Sequence, residues 1–283
     1  MLKLNVVNTT ILLVSSLFLR CVEIANASSS SPVLAGPPDK YCLKTVRRDG
    51  TPTGEVIFIG GMNTYVSSPH KHTKGAKKIL LFFSDVYGPF DPNAKLVQDQ
   101  YAENGFTVLG PDYFFGDYIS LHMNDTNFQA VPWIQNKTVI AREAIPEWLG
   151  AVKQKYGPNG QEYKYTVVGY CFGAPNALDV AATDDVVAVS FAHPSSFVTE
   201  AQFRNLKQPL LIALAENDTV FPKKASRRTE DILVEEHANY HIQTFSGTTH
   251  GFVTRGDRNN ATIRWSQDTA VQSVVDWADR SSD

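Results

Sequence analysis

The chain has 283 residues, 43% hydrophobic and 19% charged, with a formal net charge of −3 at pH 7. This balance excludes collagen-like, coiled-coil and wholly disordered chains, and the mixed, near-neutral charge argues against a nucleic-acid partner. A chain of this length buries a full core without covalent staples, and its three cysteines, Cys21, Cys42 and Cys171, are too few for a disulfide framework and too scattered for a zinc knuckle.

In chain order, residues 1–27 read as a secretory signal. Lys3 precedes an apolar stretch from Ile11 to Leu19, and Ala25-Asn26-Ala27 forms a small-x-small cleavage pattern. The apolar run is about half of the ~20 residues that a membrane crossing needs. The expectation is a secreted protein without membrane contact once the signal is removed. Residues 28–40, with four serines at 28–31 and with Pro32, Pro37 and Pro38, read as a flexible leader, and residues 41–283 as one domain. Glycosylation triplets at Asn124, Asn136 and Asn260 fit a secretory route. A fourth, at Asn217, is expected to be unoccupied.

Residues 55–59 and 64–66 flank Gly60-Gly61-Met62-Asn63 and predict a β-hairpin. His70 and His72 follow in a basic loop and read as solvated side chains, since no third metal ligand lies near them. The near-continuous apolar run 78–83 predicts a strand buried on both faces. A helix is expected over 93–104 and a strand over 106–109. Residues 113–137 show no clean period and read as a surface excursion. A helix is expected over 138–156, kinked or broken at Pro146. Strands at 165–168, 186–191, 209–214 and 240–245 then alternate with helices at 174–182, 224–237 and 263–277. Such alternation predicts an α/β fold with a mostly parallel sheet covered on both sides.

Three segments that follow predicted strands carry chemistry. Gly169-Tyr170-Cys171-Phe172-Gly173 has the spacing of a nucleophile elbow, with cysteine where serine is more common. The helix after it points its N-terminus at the thiol and favours thiolate. Glu216 and Asp218 supply rival acids after strand 209–214, and His250 follows strand 240–245. Nucleophile, acid and histidine thus come in the chain order of α/β hydrolases, each at the strand ends where open α/β sheets gather catalytic groups.

These residues resemble the dienelactone hydrolase family of α/β hydrolases, from about Tyr41 to Trp277. The likeness rests on residues 169–173, on Asn217-Asp218 through Pro222, on His250-Gly251-Phe252, on Asp85-Val86-Tyr87-Gly88, and on Pro111-Asp112. The resemblance implies the α/β-hydrolase fold and a triad of Cys171, Asp218 and His250. It implies Asp85 as the acid that contacts and activates the resting thiol, a position occupied by glutamate in bacterial members. It implies backbone N–H groups of Val86 and Phe172 as the oxyanion hole. Arg255 corresponds to one of two arginines that hold a substrate carboxylate; Arg142 lies in no recognisable motif, so the second has no clear counterpart.

The expected activity is hydrolysis of a small ester or lactone through a thioester on Cys171, with no metal or organic cofactor. The aromatics Tyr87, Phe90, Tyr113, Phe114 and Phe115 are pocket candidates. Two other readings remain open: a carboxylesterase or thioesterase whose substrate lacks a carboxylate, and a non-catalytic relative that binds a small ligand. Cys42 and Cys171 are expected to be unbonded to each other, because a disulfide would silence the nucleophile. The sequence specifies no oligomeric state.

Overall fold

The computed structural model describes residues 31–37, 45–69, 77–157 and 163–282. The signal segment 1–27, the leader apart from 31–37, Cys42, His70 and His72 lie outside the described residues.

The described chain opens with the hairpin β1 (Glu55–Ile59) and β2 (Met62–Ser67). Its turn is the dipeptide Gly60-Gly61, with φ of 49° and 82°. A two-residue hairpin turn with positive φ at both positions matches the twist of the strands, and glycine adopts it without a Cβ penalty. Ile59 therefore pairs directly with Met62, and β2 starts two residues before the sequence expectation. The chain continues through β3 (Lys77–Phe83), α1 (Pro92–Glu103), β4 (Phe106–Pro111) and a 3₁₀ turn at Ile119–Leu121. Next come α2 (Ala130–Tyr156), β5 (Tyr163–Tyr170), α3 (Gly173–Ala181), β6 (Ala188–Ala192) and the short α4 (Glu200–Arg204). The last elements are β7 (Leu210–Asn217), α5 (Lys223–Glu235), β8 (Tyr240–Thr249), α6 (Phe252–Arg255) and α7 (Ala261–Ser282).

The strands form one sheet in the order β1-β2-β4-β3-β5-β6-β7-β8. From β4 to β8 every neighbouring pair is parallel, and the antiparallel hairpin closes one edge. The side-chain alternation of β3 divides the core. Ile79, Leu81 and Phe83 pack with Ile145, Trp148 and Leu149 of α2 on one face. Leu80 and Phe82 pack with Tyr101 of α1 and Val271 and Val274 of α7 on the other. Burial on both faces accounts for the unbroken apolar run in the sequence. The entry to α1 is set by Asp91, whose carboxylate accepts from the Asn93 N–H at 2.9 Å, and by Pro92 in the first turn.

Two expectations are corrected. Of the kink or break expected at Pro146, the break does not occur: helix α2 runs for 27 residues through the proline. The packing of Ile145, Trp148 and Leu149 against the sheet outweighs the backbone hydrogen bond that Pro146 removes. The excursion at 113–137 is not a surface loop throughout: Tyr113 and Phe114 are fully buried, and the segment's last turns already belong to α2.

Parallel strands place their C-terminal ends along a single edge of the sheet, so β3, β5, β6, β7 and β8 deliver their following loops to the same place. An N-terminal strap, residues 31–37, lies across part of this edge. Leu34 N–H donates to the Val198 carbonyl at 2.8 Å, Gly36 N–H to Val220 at 3.0 Å, and Ser196 N–H to the Gly36 carbonyl at 2.9 Å. The strap thereby ties the loop after β6 to the loop after β7. Among the described residues no helix is long and apolar enough to cross a membrane.

Candidate active site

The turn from β5 to α3 is too tight for side chains at its flanks. A Cβ on Gly169 would lie 2.5 Å from the Gly173 carbonyl oxygen, and one on Gly173 would run into the carbonyl of Phe83. Between them Cys171 takes φ of 51°, left-handed backbone that costs a non-glycine residue ~1 kcal/mol or more. The elbow is held by Cys171 N–H donating to the Ala192 carbonyl at 3.2 Å and by Ser195 N–H donating to the Cys171 carbonyl at 3.1 Å. Cys171 is completely buried, beside Val220.

His250 meets the thiol. Its Nε2 stands 3.2 Å from Cys171 Sγ, and its Nδ1 stands 3.0 Å from each carboxylate oxygen of Asp218. Asp218 is itself fixed by the N–H groups of Val220 and Phe221, which donate to Oδ1 at 2.9 and 3.0 Å. Burial alone would lower the His250 pKa, but the negative charge at Cys171 and the carboxylate of Asp218 overcome it and raise the value to about 9. The protonated imidazole is thereby favoured between Cys171 and Asp218. The rival acid Glu216 faces away. It is exposed and accepts from Gly247 N–H at 2.8 Å and Ser246 Oγ at 3.0 Å, bridging β7 to β8.

Asp85 and Arg255 are brought to each other. Asp85 accepts from Tyr87 N–H at 2.9 Å and from the Thr254 hydroxyl at 2.8 Å, and its carboxylate forms a buried ion pair with Arg255. The Arg255 guanidinium lies 5.5 Å from the centroid of the Tyr87 ring. This folding-back of Arg255 depends on Gly251, at φ 84°, where a Cβ would stand 2.9 Å from the guanidinium carbon. Arg142 is placed elsewhere, on α2, in a half-exposed pair with Asp179 of α3 at 3.1 Å.

Val86 and Phe172, the expected oxyanion-hole residues, are both fully buried. The Phe172 ring packs against Tyr113 and Phe114 at centroid distances of 5.8 and 4.8 Å. Of the five aromatic pocket candidates, Tyr113 and Phe114 thus form the wall behind the elbow, whereas Phe115 is exposed.

Two residues of this site were missed from sequence. His193 follows β6 in left-handed backbone, φ 39°, and is fully buried edge-on to His250 at a centroid distance of 5.2 Å. Burial first, then the positive charges of His250 and Arg255, hold it well below the usual histidine pKa, so it stays neutral. Ser195 brings its Oγ to 3.2 Å from Cys171 Sγ. The one available signal was position: both lie just beyond a parallel strand, where the other site residues were sought.

A sequence profile of the dienelactone hydrolase family matches residues 62–281. The chain belongs to the dienelactone hydrolase family. Among its relatives is "Dienlactone hydrolase 1" of Gibberella moniliformis, 34% identical over 259 residues, which span 89% of this chain and 97% of that protein. The "Carboxymethylenebutenolidase homolog" of Mus musculus is 30% identical over 210 residues, 71% of this chain and 84% of that protein. In fold, the dienelactone hydrolase-family chain is similar to the crystal structure of a putative dienelactone hydrolase from Klebsiella pneumoniae. That likeness has a TM-score of 0.63 at 14% identity and covers 81% of this chain and 99% of the other. This dienelactone hydrolase-family member is a hydrolase with the α/β-hydrolase fold.

Proposed function

We propose that this chain is a secreted, cysteine-dependent hydrolase of small esters or lactones, working through a Cys171-His250-Asp218 triad. The observation that carries the reading is His250, fully buried, with one nitrogen 3.2 Å from the Cys171 sulfur and the other 3.0 Å from both oxygens of Asp218. The raised His250 pKa, about 9, supports a thiolate–imidazolium pair at neutral pH. Cys171 attacks the acyl carbon as thiolate, and the oxygen charge that develops is accepted by the N–H groups of Val86 and Phe172. The tetrahedral adduct collapses to a thioester as the alkoxide leaves and takes the proton of His250; a lactone keeps its alcohol tethered. Neutral His250 then removes a proton from water. The water oxygen bonds to the acyl carbon, the C–S bond breaks with its electron pair on sulfur, and the acid departs. Asp218 fixes the imidazole tautomer throughout.

A substrate without a carboxylate is favoured by one observation: Arg255 is engaged by Asp85 in a buried ion pair. Carboxylate recognition through Arg255 would require it to share that pair. Comparing kcat/KM for a neutral lactone and a carboxylate-bearing one, before and after Arg255→Ala, separates the two, because selective loss on the anionic lactone identifies a carboxylate holder.

Secretion is supported by the signal-like residues 1–27 and by the exposed positions of Asn124, Asn136 and Asn260. The deciding experiment for the activity is Cys171→Ala assayed on a small aryl ester. Turnover is expected to vanish; turnover at the wild-type rate would overturn the cysteine mechanism.

A further inference from the structure

Ser195 lies outside the triad, is fully buried, and sits on the loop that follows β6. Its backbone N–H clamps the Cys171 carbonyl at 3.1 Å, and its Oγ is 3.2 Å from the Cys171 sulfur. Behind it, the Ser196 hydroxyl lies 3.1 Å from Ser195 Oγ. The loop holds this arrangement in costly backbone, with φ of 39° at His193, 61° at Ser196 and 66° at Phe197. Left-handed conformations at three non-glycine residues persist only where the surroundings over-determine them. Here the strap contributes, since Ser196 N–H is held by the Gly36 carbonyl at 2.9 Å.

The proton directions follow from chemistry. A thiolate accepts and cannot donate, so a hydroxyl beside it must donate to sulfur. Ser195 then keeps its lone pairs for the Ser196 hydroxyl, which donates to it. Among the donors aimed at the sulfur are His250 Nε2–H and Ser195 Oγ–H, each at 3.2 Å. Asp85, the group expected to activate the thiol, accepts from Tyr87 and Thr254 and pairs with Arg255.

We propose that Ser195, backed by Ser196, is a catalytic residue of this site, donating a hydrogen bond to the Cys171 sulfur that stabilises it as nucleophile and as leaving group. The proposal rests on the cysteine mechanism above and deepens it. In the resting enzyme the hydrogen bond favours thiolate. In the thioester the sulfur is a poor acceptor and the bond is weak. When water has added and the C–S bond breaks, the electron pair returns to sulfur and Ser195 meets the reforming charge. Ser195 therefore acts most strongly at thioester breakdown, where the leaving group is this thiolate.

The test uses full-length protein carrying Ser195→Ala or Ser196→Ala. Thiolate absorbance at about 240 nm is followed against pH, each protein being referenced to its own Cys171→Ala partner so that a single sulfur is read. A hydrogen bond to a charged group predicts a rise in the titration midpoint of about one pH unit or more for Ser195→Ala. Ser196→Ala should give a smaller rise, since the donor to sulfur remains. Stopped-flow turnover of an aryl ester should show thioester breakdown slowed about tenfold in Ser195→Ala. A midpoint and breakdown rate unchanged in Ser195→Ala, with native circular dichroism, overturn the proposal. Should that variant fail to fold, an unshifted midpoint in Ser196→Ala overturns it instead. A wild-type protein without a Cys171 thiolate signal also overturns it, and there the loss or survival of ester turnover in Cys171→Ala reports separately on the hydrolase reading.

Discussion

His250 holds a proton that its surroundings both oppose and favour. Burial disfavours the charge, and the interactions with Cys171 and Asp218 more than compensate. Replacing Cys171 by serine removes one of the two, so the His250 pKa is expected to fall from about 9, measured by NMR titration of the imidazole carbons. An unchanged value would mean that the sulfur carries no charge in the resting protein. The same pKa sets the alkaline side of the activity profile. Below about 9 the imidazolium can protonate the departing alcohol; above it that proton is gone, so kcat/KM is expected to decline through pH ~9. At this scale much of the site was legible in advance. Gly169, Cys171 and Gly173 mark a geometry that few other residues permit, and Asp218 and His250 stand at fixed places beyond strands. Ser195 and His193 also lie just beyond a strand, but they belong to no motif that names a role. A serine and a histidine in a loop are ordinary until folding buries them against the sulfur and the imidazole. The partners of Asp85 were hidden for a similar reason, because the reach of Arg255 back over Gly251 depends on a positive φ that the sequence does not announce.

The elements that carry the site differ in how much they tolerate. The start of α3 is fixed by the contact of Gly173 with the Phe83 carbonyl of β3. Gly173→Ala forces backbone apart and is expected to cost about 3 kcal/mol or more, read from the denaturant midpoint. Helix α2 behaves in the opposite sense. Pro146 lies within a continuous helix, so Pro146→Ala restores a hydrogen-bond donor and is expected to stabilise the protein by up to ~3 kcal/mol, visible as a higher Tm. An unchanged or lowered Tm would show that the helix is locally built around the proline ring. The strands were legible because burial on both faces leaves runs such as Ile79 to Phe83 almost without polar residues. The beginning of α2 was not, because Gln129 provides no side-chain cap and Val131 in the first turn is exposed. Neither a cap nor an apolar stripe announces the helix until Ile134, and Tyr113 and Phe114 are buried by tertiary packing that has no local period.

For the whole molecule, the parallel sheet makes the site a meeting of distant segments. Residues from β3, β5, β6, β7 and β8 converge because all five strands end at one edge. The strap 31–37 adds a sixth segment by bonding to Val198, Ser196 and Val220. Removal of residues 1–37 is expected to lower both Tm and kcat, because the loops bearing Ser195 and Asp218 lose their common tie. Removal of residues 1–27 alone, the proposed signal, leaves the strap and should preserve both; equal behaviour of the two truncations would show that the strap is dispensable.

The strap also has a consequence in time. A ribosome makes residues 31–37 before any strand of the sheet, yet the carbonyl that receives Gly36 N–H belongs to Val220. Nearly two hundred further residues must be synthesised before this early segment can take its place. His250, which engages the thiol, follows later still. From its own synthesis until His250 is made, 79 residues later, Cys171 is an ordinary cysteine on an unfinished chain, without its imidazole partner. On the cysteine mechanism proposed above, the reactivity of the sulfur is deferred by the order of translation, and arrives only when the C-terminal third of the chain closes on a thiol already made.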